Sequence, residues 1–310
     1  MLANVGFFAL LLAFLVALYG AAAAAFGAQR DRPAWVESAR QAMLLTFPLL
    51  TLSSLCLIVL LATGAYEIEY VASTTSNTMP LYLKITAWWG GQAGSLLFWS
   101  WLMAGFATAA SARRWDRDRE FLPWVIVITL VTLAFFLSLT VLFENPFARL
   151  WVTSDGQQAV AMFRPAGAMA LAPSNGNGLN PLLRHPGMIL HPPMLYLGFV
   201  SFVIPFAFAM AALITRRTDD RWIRITRRWT LIAWLFLSLG LILGARWAYD
   251  VLGWGGYWGW DPVEIAALMP WLTGTAFLHS VVVQEKRGIL KRWNMVLIIL
   301  TYSLVIFGTF

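Results

Sequence analysis

The chain has 310 residues, of which 60% are hydrophobic and only 12% are charged, and its formal net charge is +7. This composition excludes an ordinary soluble domain and indicates an integral membrane protein. The positive charge does not require a nucleic-acid partner, because the basic residues are distributed as the topology of a membrane protein requires.

Eight apolar runs are long enough to form membrane-spanning helices, which need about 20 residues to cross about 30 Å of hydrocarbon. In chain order they cover residues 2–26, 41–63, 91–112, 121–143, 193–215, 229–245, 265–284 and 293 onward. The first charge after the first run is Arg30, on its far side, which predicts a retained helix and not a cleaved signal peptide. The expected fold class is all-α, a polytopic transmembrane helical bundle.

Basic residues orient this bundle. Most of the 22 Lys and Arg residues fall in four loops on one side, at 30–40, 113–119, 216–228 and 286–292. The exceptions, on the other side, are Lys84, Arg149, Arg164, Arg184 and Arg246. Because short cytoplasmic loops are enriched in Lys and Arg, we expect the N-terminus on the outer side of the membrane.

The predicted helices divide the chain into three regions. Residues 1–143 hold the first four helices, residues 144–192 form a long outer loop, and residues 193–310 hold helices five to eight. Loops of this length tend to be functional or disordered, and the stretch 174–178 is polar and rich in turn residues. The only cysteine, Cys56, lies in the second apolar run, so the chain can form no internal disulfide.

A Trp-rich segment lies within the outer loop 247–264, between helices six and seven. From Trp254 to Glu264 it contains four aromatic rings and three glycines. Flat polarizable rings on a flexible backbone suit a large planar ligand. The alternative is a lipid interface, where Trp and Tyr also collect.

Two helix starts are predicted on the outer side. His191 precedes Pro192 and Pro193, which favours an extended histidine at the mouth of helix five and prolines in the first turn of that helix. Asp261 can cap helix seven, with Glu264 completing a capping box. This capping gives both carboxylates a structural role as an alternative to a functional one.

Helix N-termini favour anions. A planar, apolar ligand that carries carboxylates and takes an imidazole would fit such a place, and haem has these properties. Arg246 and Arg184 are candidate partners for its propionates, and interfacial snorkelling is the alternative for both arginines.

His279 is predicted within the membrane. It lies about 15 residues into helix seven, hence about 20 Å below the outer surface. An ionisable residue at this depth indicates function, and the alternative is a neutral imidazole hydrogen-bonded across the bundle. The neighbours are small, which leaves room for a porphyrin face or a second helix; they are Gly274, Thr275, Ala276 and Ser280. His185 is interpreted as a loop residue.

These residues resemble a known family. The segment 254–264 looks like the Trp-rich WWD signature of haem-handling proteins in cytochrome c maturation. Together with the segments 88–96, 180–183, 191–196 and 271–279, it resembles the CcmF/NrfE family of cytochrome c-type biogenesis proteins most closely, as the N-terminal half of such a protein.

The resemblance implies a cytochrome c haem lyase, of the holocytochrome c synthase type, in the bacterial plasma (inner) membrane with a periplasmic active face. It implies that His191 is an axial ligand of the substrate haem b, and that His279 ligates a second, membrane-embedded b-type haem. The expected catalytic residues are His191, Trp254, Trp258, Trp260 and Asp261. The expected haem-binding residues are His191, His279, Arg246 and, in the loop, Trp254, Gly255, Gly256, Tyr257, Trp258 and Trp260.

The resemblance also implies partners. Haem would come from the chaperone CcmE, apocytochrome c would be presented with CcmH or CcmI, and quinol is one candidate electron donor. Because the thiols that form the thioethers belong to apocytochrome c, this chain needs no nucleophile and would contribute positioning. The remaining haem ligands of the family are expected beyond residue 310.

Two alternatives remain from the sequence. One is a haem transporter or exporter of the CcmC or CcsA kind, which shares the Trp-rich loop; for the CcmC kind, the number of helices and the deep His279 argue against it. The other is a polytopic transporter without a cofactor, whose Trp residues are purely interfacial and which leaves His279 unexplained.

Overall fold

The computed structural model describes residues 1–113, 115, 118–253 and 255–309. As predicted, the architecture is an all-α polytopic bundle, because a helix satisfies its own backbone hydrogen bonds and can therefore lie in hydrocarbon. Its helices are α1 (Leu2–Gln29), α2 (Pro33–Thr63), α3 (Glu69–Thr74), α4 (Leu81–Thr86), α5 (Gln92–Ser111), α6 (Leu122–Leu142), α7 (Gly187–Ser201), α8 (Val203–Ile214), α9 (Arg221–Val251), α10 (Pro262–Arg287) and α11 (Lys291–Phe307).

Seven stretches of the described chain are long and apolar enough to cross a membrane. They are α1, α2, α5, α6, α7 together with α8, α9 and α10. The eighth predicted helix, α11, is apolar but has 17 residues. At 1.5 Å per residue it is about 26 Å long, slightly short of the about 30 Å of a hydrocarbon core.

The predicted fifth helix is two helices in the structure. α7 ends at Ser201 and α8 begins at Val203. Pro205 has no N–H to donate to the carbonyl of Ser201, so the continuous hydrogen-bond ladder is interrupted there. On the other side of the break, the Ser201 hydroxyl donates to the carbonyl of Leu197 at 2.7 Å. An apolar run alone does not show such a break.

The chain forms two compact units, and four of its helices contribute residues to both. The first unit consists of Met1–Ala17, Leu45–Ala104 and Leu133–Arg184, and the second of Leu18–Leu44, Gly105–Thr132 and His185–Phe310.

In the first unit, the long loop predicted at 144–192 contains a small antiparallel sheet. Its strands are β1 (Arg149–Val152), β2 (Gln158–Ala161) and β3 (Met169–Ala170), in the order β2-β1-β3. The loop is tied to the segment before α3, because Leu150 N donates to the Glu67 carbonyl at 3.0 Å. This part of the loop is therefore folded.

The polar stretch 174–178 packs on α3. Asn177 N donates to the Ala72 carbonyl at 2.8 Å, and Gly178 N donates to the Thr75 carbonyl at 3.1 Å. A Cβ at Gly176 would lie 2.2 Å from the Thr75 oxygen. The turn-rich composition thus reflects a close backbone approach as well as a turn.

The motif at 88–96 folds around Tyr70. The Tyr70 hydroxyl donates to the Ala87 carbonyl at 2.8 Å and contacts the Trp88 carbonyl at 3.2 Å. A Cβ at Gly94 would lie 2.1 Å from the Trp88 oxygen and 2.3 Å from the Tyr70 hydroxyl. Only glycine fits this corner without displacing backbone.

Gly94→Ala should therefore destabilise the first unit. Overpacking of this kind costs about 1–3 kcal/mol, and the clash here is with a backbone carbonyl that cannot turn away. The matched control is Gly91→Ala at the same corner, where the atoms nearest to an added Cβ belong to the side chains of Tyr70 and Thr74, none of them closer than 3.0 Å. Thermal unfolding of the purified protein in detergent should show a larger drop for Gly94→Ala; equal drops would contradict the packing argument.

In the second unit, charged side chains fix the start of α9. Asp118 is 5% exposed and forms ion pairs with two arginines. Its carboxylate lies 2.6 Å from Nε of Arg221 and also contacts Arg113. Gln284 on α10 donates to the Asp220 carboxylate at 2.7 Å. This explains why α9 begins eight residues before the predicted apolar run: its first turns are basic and lie among acidic partners.

Candidate functional site

His191 lies inside α7, and the prediction of an extended residue before the helix is wrong. The helix begins at Gly187, so His191 is its fifth residue and Pro192 and Pro193 follow within the helix. The φ of proline is compatible with a helix, at the loss of two backbone hydrogen bonds. Packing of α7 on α9 overrides the local preference of a residue before proline.

Glycines bring α7 and α9 into close contact. A Cβ at Gly198 would lie 2.5 Å from the Leu237 Cα, and one at Gly240 would lie 2.8 Å from the Leu195 Cα. The Gly240 and Gly244 pair has the small-xxx-small spacing that allows membrane helices to approach closely. Because residue numbers rise along α7 as they fall along α9, the two helices run in opposite directions. At these two glycines, no side chain separates one backbone from the other.

The imidazole of His191 lies at the next contact between α7 and α9, one turn further along each helix. A Cβ at Gly244 would lie 2.6 Å from His191 Cε1 and 3.0 Å from Nδ1. The ring nitrogen Nδ1 is 2.9 Å from the Gly240 carbonyl oxygen. The His191 ring is thus held on the backbone of α9 by the hydrogen bond to the Gly240 carbonyl and by van der Waals contact with Gly244.

Trp247 covers the same region from the next turn of α9. Its ring lies 6.2 Å from that of His191, with 15° between the planes. A Cβ at Gly187 would lie 2.7 Å from Trp247 Cδ1. The indole nitrogen is buried and has no hydrogen-bond partner among the described residues.

The sequence prediction did not select Trp247, Gly240 or Gly244 as site residues. Helix six was predicted to end at residue 245, whereas α9 continues to Val251. The spacing of Gly240 and Gly244 could have indicated a close helix contact. It does not identify the partner helix, which is known only from the packing of α7 on α9.

The Trp-rich loop leaves the end of α9. Trp254, a predicted catalytic residue, lies outside the described residues. Gly255 has φ +70° and no atom within 4 Å of an added Cβ, so the loop is non-helical and open at this point. Gly256 is half-buried beside it.

The described rings of the loop form two pairs and not one flat plate. Tyr257 stacks on Tyr249 at 4.5 Å with 11° between the rings, and Trp258 meets Trp260 edge to face at 5.7 Å. Trp260 is 68% exposed and Tyr257 54% exposed. The Trp258 indole nitrogen is buried without a partner in the described part of the chain.

The predicted capping box at the start of α10 is present. Asp261 Oδ1 accepts from Glu264 N at 2.8 Å, and Glu264 Oε2 contacts Asp261 N at 3.4 Å. Glu264 also accepts from Gly259 N at 2.8 Å. The two carboxylates therefore fix the end of the Trp-rich loop to the helix.

The two predicted propionate arginines are engaged elsewhere. Arg246 Nε donates to the Asp250 carboxylate at 2.9 Å, and its guanidinium lies 5.8 Å from the Tyr249 ring centroid. Arg184 Nε donates to the Leu179 carbonyl at 3.0 Å. Arg246 is largely exposed, so its charge is accessible beside the loop.

His279 lies on α10, 17 positions after Pro262 and hence about 26 Å along the helix. Its Nδ1 is 2.9 Å from the Thr275 carbonyl of its own helix, and its side chain is exposed. The alternative of a hydrogen bond across the bundle is therefore wrong. Gly274 faces Phe202, at 3.0 Å from an added Cβ, so this small residue serves helix packing.

Two tryptophans join α9 to α10 beside His279. Trp234 Nε1 donates to Thr275 Oγ1, and Trp271 Nε1 donates to Ser238 Oγ, both at 2.8 Å. Their rings stack at 6.2 Å. Each helix thus gives one indole and receives one, which fixes the rotation of α10 and the direction of His279.

Together these features define a polytopic membrane protein with an imidazole and aromatic rings at one end of α7 and α9 and a second imidazole within a span. A family model described as cytochrome c assembly protein matches residues 89–310. The chain belongs to the cytochrome c assembly protein family. This membership argues against the transporter without a cofactor.

Individual relatives agree with the predicted resemblance to CcmF and NrfE. A Pseudomonas aeruginosa cytochrome c-type biogenesis protein CcmF is 40% identical over 310 residues, which cover 100% of this chain and 44% of the relative. For NrfE of Haemophilus influenzae the identity is 36%, over 100% of this chain and 46% of the relative. A solved structure titled Cytochrome c Heme Lyase CcmF has a TM-score of 0.85 and 32% identity, and covers 100% of this chain and 47% of that one. The chain spans less than half the length of these relatives.

The capping geometry predicts how Asp261 responds to substitution. Asp261→Asn should keep the cap, since asparagine caps as well as aspartate, whereas Asp261→Ala should cost about 0.5–2 kcal/mol. Thermal unfolding and cytochrome c maturation should be measured for both variants. If Asp261→Asn keeps its stability but loses maturation, the carboxylate charge has a role beyond the cap.

Proposed function

We propose that this chain is part of a haem lyase, of the holocytochrome c synthase type, that attaches haem covalently to apocytochrome c. Its family membership supports a role in cytochrome c maturation, and the similar solved structure is titled a haem lyase. The observation that carries the proposal is the His191 imidazole, seated on Gly244 and stacked with Trp247 at the end of α9 from which the Trp-rich loop leaves.

The residues beside His191 and those of the Trp-rich loop have the chemistry that haem requires of its binding site. Two buried indole N–H groups, of Trp247 and Trp258, lack an acceptor among the described residues, and haem carries two carboxylates that accept hydrogen bonds. The exposed rings of Tyr257 and Trp260 offer flat apolar surface, and the backbone at Gly255 leaves open space. Buried donors without partners are costly unless a ligand or water satisfies them.

Bound haem would supply the vinyl groups to which the thiols of apocytochrome c add. The chain would then supply position. His191 would orient the porphyrin through its iron, the loop rings would cover one porphyrin face, and the capping box of Asp261 and Glu264 would hold the loop against α10. Fixing two reactants at short range lowers the entropic barrier of their reaction.

His279 is proposed to ligate a second, b-type haem within the membrane. Its imidazole is exposed on an otherwise apolar span and is held by the Thr275 carbonyl, with the ring direction fixed by the indole pair of Trp234 and Trp271. An ionisable side chain in this setting indicates function. A redox-active haem there would control the oxidation state of the substrate iron, with quinol as a candidate donor.

The proposed orientation places the Trp-rich loop on the periplasmic face of the bacterial inner membrane. The basic residues support it, because the six arginines in 216–228 lie at the opposite end of α9 from the Trp-rich loop, and short cytoplasmic segments are enriched in Lys and Arg. The proposed partners are apocytochrome c, the haem chaperone CcmE, and CcmH or CcmI.

Substitution of each histidine should separate the two haem sites. His191→Ala should abolish cytochrome c maturation while the b-type absorbance of the purified protein remains. His279→Ala should weaken that absorbance, because an axial imidazole of the membrane haem is lost. The measurements are haem staining of c-type cytochromes and a dithionite-reduced spectrum of the purified protein.

His185→Ala is the matched control. His185 precedes α7, and its ring accepts a hydrogen bond from the backbone N of Gly187, the first residue of that helix. Its loss should leave both signals intact. Normal maturation in His191→Ala would exclude the ligand role of His191. A purified full-length protein without haem in any preparation would exclude the haem-lyase proposal.

A further inference from the structure

The three histidines of the chain make three backbone hydrogen bonds through the same ring nitrogen. Nδ1 of His191 lies 2.9 Å from the Gly240 carbonyl oxygen, and Nδ1 of His279 lies 2.9 Å from the Thr275 carbonyl oxygen. Nδ1 of His185 instead lies 3.1 Å from the backbone N–H of Gly187.

The chemistry of these partners decides where each proton lies. A carbonyl oxygen can only accept, so a ring nitrogen bonded to it must carry hydrogen, and the other nitrogen of a neutral ring then has the lone pair. A backbone N–H can only donate, so the ring nitrogen facing it must be the acceptor. In a neutral imidazole the proton is then on Nε2.

We propose that the backbone sorts the histidines by tautomer. His191 and His279 are held as Nδ1–H imidazoles that present Nε2 to a metal, and His185 is held as the Nε2–H form, which offers a metal no lone pair. The identity of the metal as haem iron rests on the proposed function, whereas the tautomers do not. Gly240 and Gly244 are thereby positioning residues for His191.

The packing of α7 on α9 makes this possible for His191. The Gly240 carbonyl accepts the bond because the helices touch at Gly240 and because Gly244 has no side chain between the ring and the backbone. A hydrogen bond from the far nitrogen of a metal-bound imidazole fixes the ring and raises its basicity. The group that accepts the hydrogen bond from Nδ1 of His191 is thus a main-chain carbonyl, and no side chain needs to supply it.

The arrangement at His279 uses its own helix. Thr275 Oγ1 donates to the Trp271 carbonyl at 2.7 Å and accepts from Trp234 Nε1 at 2.8 Å. The Thr275 hydroxyl thus bonds to both tryptophan residues, while the Thr275 carbonyl oxygen lies 2.9 Å from Nδ1 of His279.

The first test is ¹⁵N NMR of the haem-free protein labelled at histidine, at about pH 8, above the usual histidine pKa of about 6.5. Single His→Ala variants assign the three rings. The expected spectrum shows Nδ1–H for His191 and His279 and Nε2–H for His185. An Nε2–H form of His191 or His279, or Nδ1–H for His185, would overturn the proposal. Since no haem is present, this outcome is independent of the haem-lyase proposal.

The second test displaces the ring. In a His279→Ala background only the His191 site remains, and hemin is titrated into the purified haem-free protein. Gly244→Ala places a methyl 2.6 Å from His191 Cε1 and should move the ring from the Gly240 carbonyl, abolish its single Nδ1–H signal and weaken hemin binding about 10- to 100-fold. Unchanged tautomer and unchanged hemin affinity in Gly244→Ala would contradict the positioning role.

A double variant separates positioning from loss of folding. In His191→Ala the clash partner is absent, so Gly244→Ala added to it should cause no further loss of thermal stability. Gly274→Ala is the packing control, because its added methyl would meet Phe202, between α7 and α8, and not an imidazole. It should leave the His191 tautomer unchanged. If Gly244→Ala lowers the thermal stability of the His191→Ala protein as much as it lowers that of the protein with His191, the role of Gly244 is packing alone.

Discussion

The close approach of α7 and α9 is the constraint on which the His191 site depends. At Gly198 and Gly240 the two backbones come so near that a single methyl would clash. Because this contact fixes the spacing and register of the helices, it brings the His191 ring onto Gly244 and within 2.9 Å of the Gly240 carbonyl. Trp247, one turn further along α9, then covers the imidazole. A side chain that would otherwise rotate freely is held by main chain on one side and an indole on the other.

The second imidazole depends on a different contact, between α9 and α10. The indoles of Trp234 and Trp271 each donate to a hydroxyl on the opposite helix at 2.8 Å. Polar bonds between membrane helices stabilise modestly, but they are directional. Here they fix the rotation of α10 about its axis and therefore the direction in which His279 points. α9 is therefore common to both sites. Its glycines position His191, its Trp234 and Ser238 position the helix of His279, and its end starts the Trp-rich loop.

Local chemistry allowed much of the fold to be predicted. Apolar runs predicted the spans because hydrocarbon selects for length and composition, and the capping box of Asp261 and Glu264 was predicted because both partners lie within one turn. Prediction failed where distant segments meet. The turn residues of the stretch 174–178 were recognised, but the bonds of its backbone to α3 were not predicted. The motif at 88–96 was predicted as a family signature, but its folding around Tyr70 was not.

The sequence by itself determined the class of protein, the approximate position of most spans and the cap of α10, and it proposed two histidines as iron ligands, because each of these follows from composition, short-range spacing or motif resemblance. Only the tertiary structure decided that His191 lies inside a helix, that Trp247 and Gly244 surround it, and that His279 bonds to its own helix. The reason is physical: the His191 ring is positioned by a helix that is close in space but about fifty residues away in the chain, and the direction of the His279 ring depends on how α10 packs on α9.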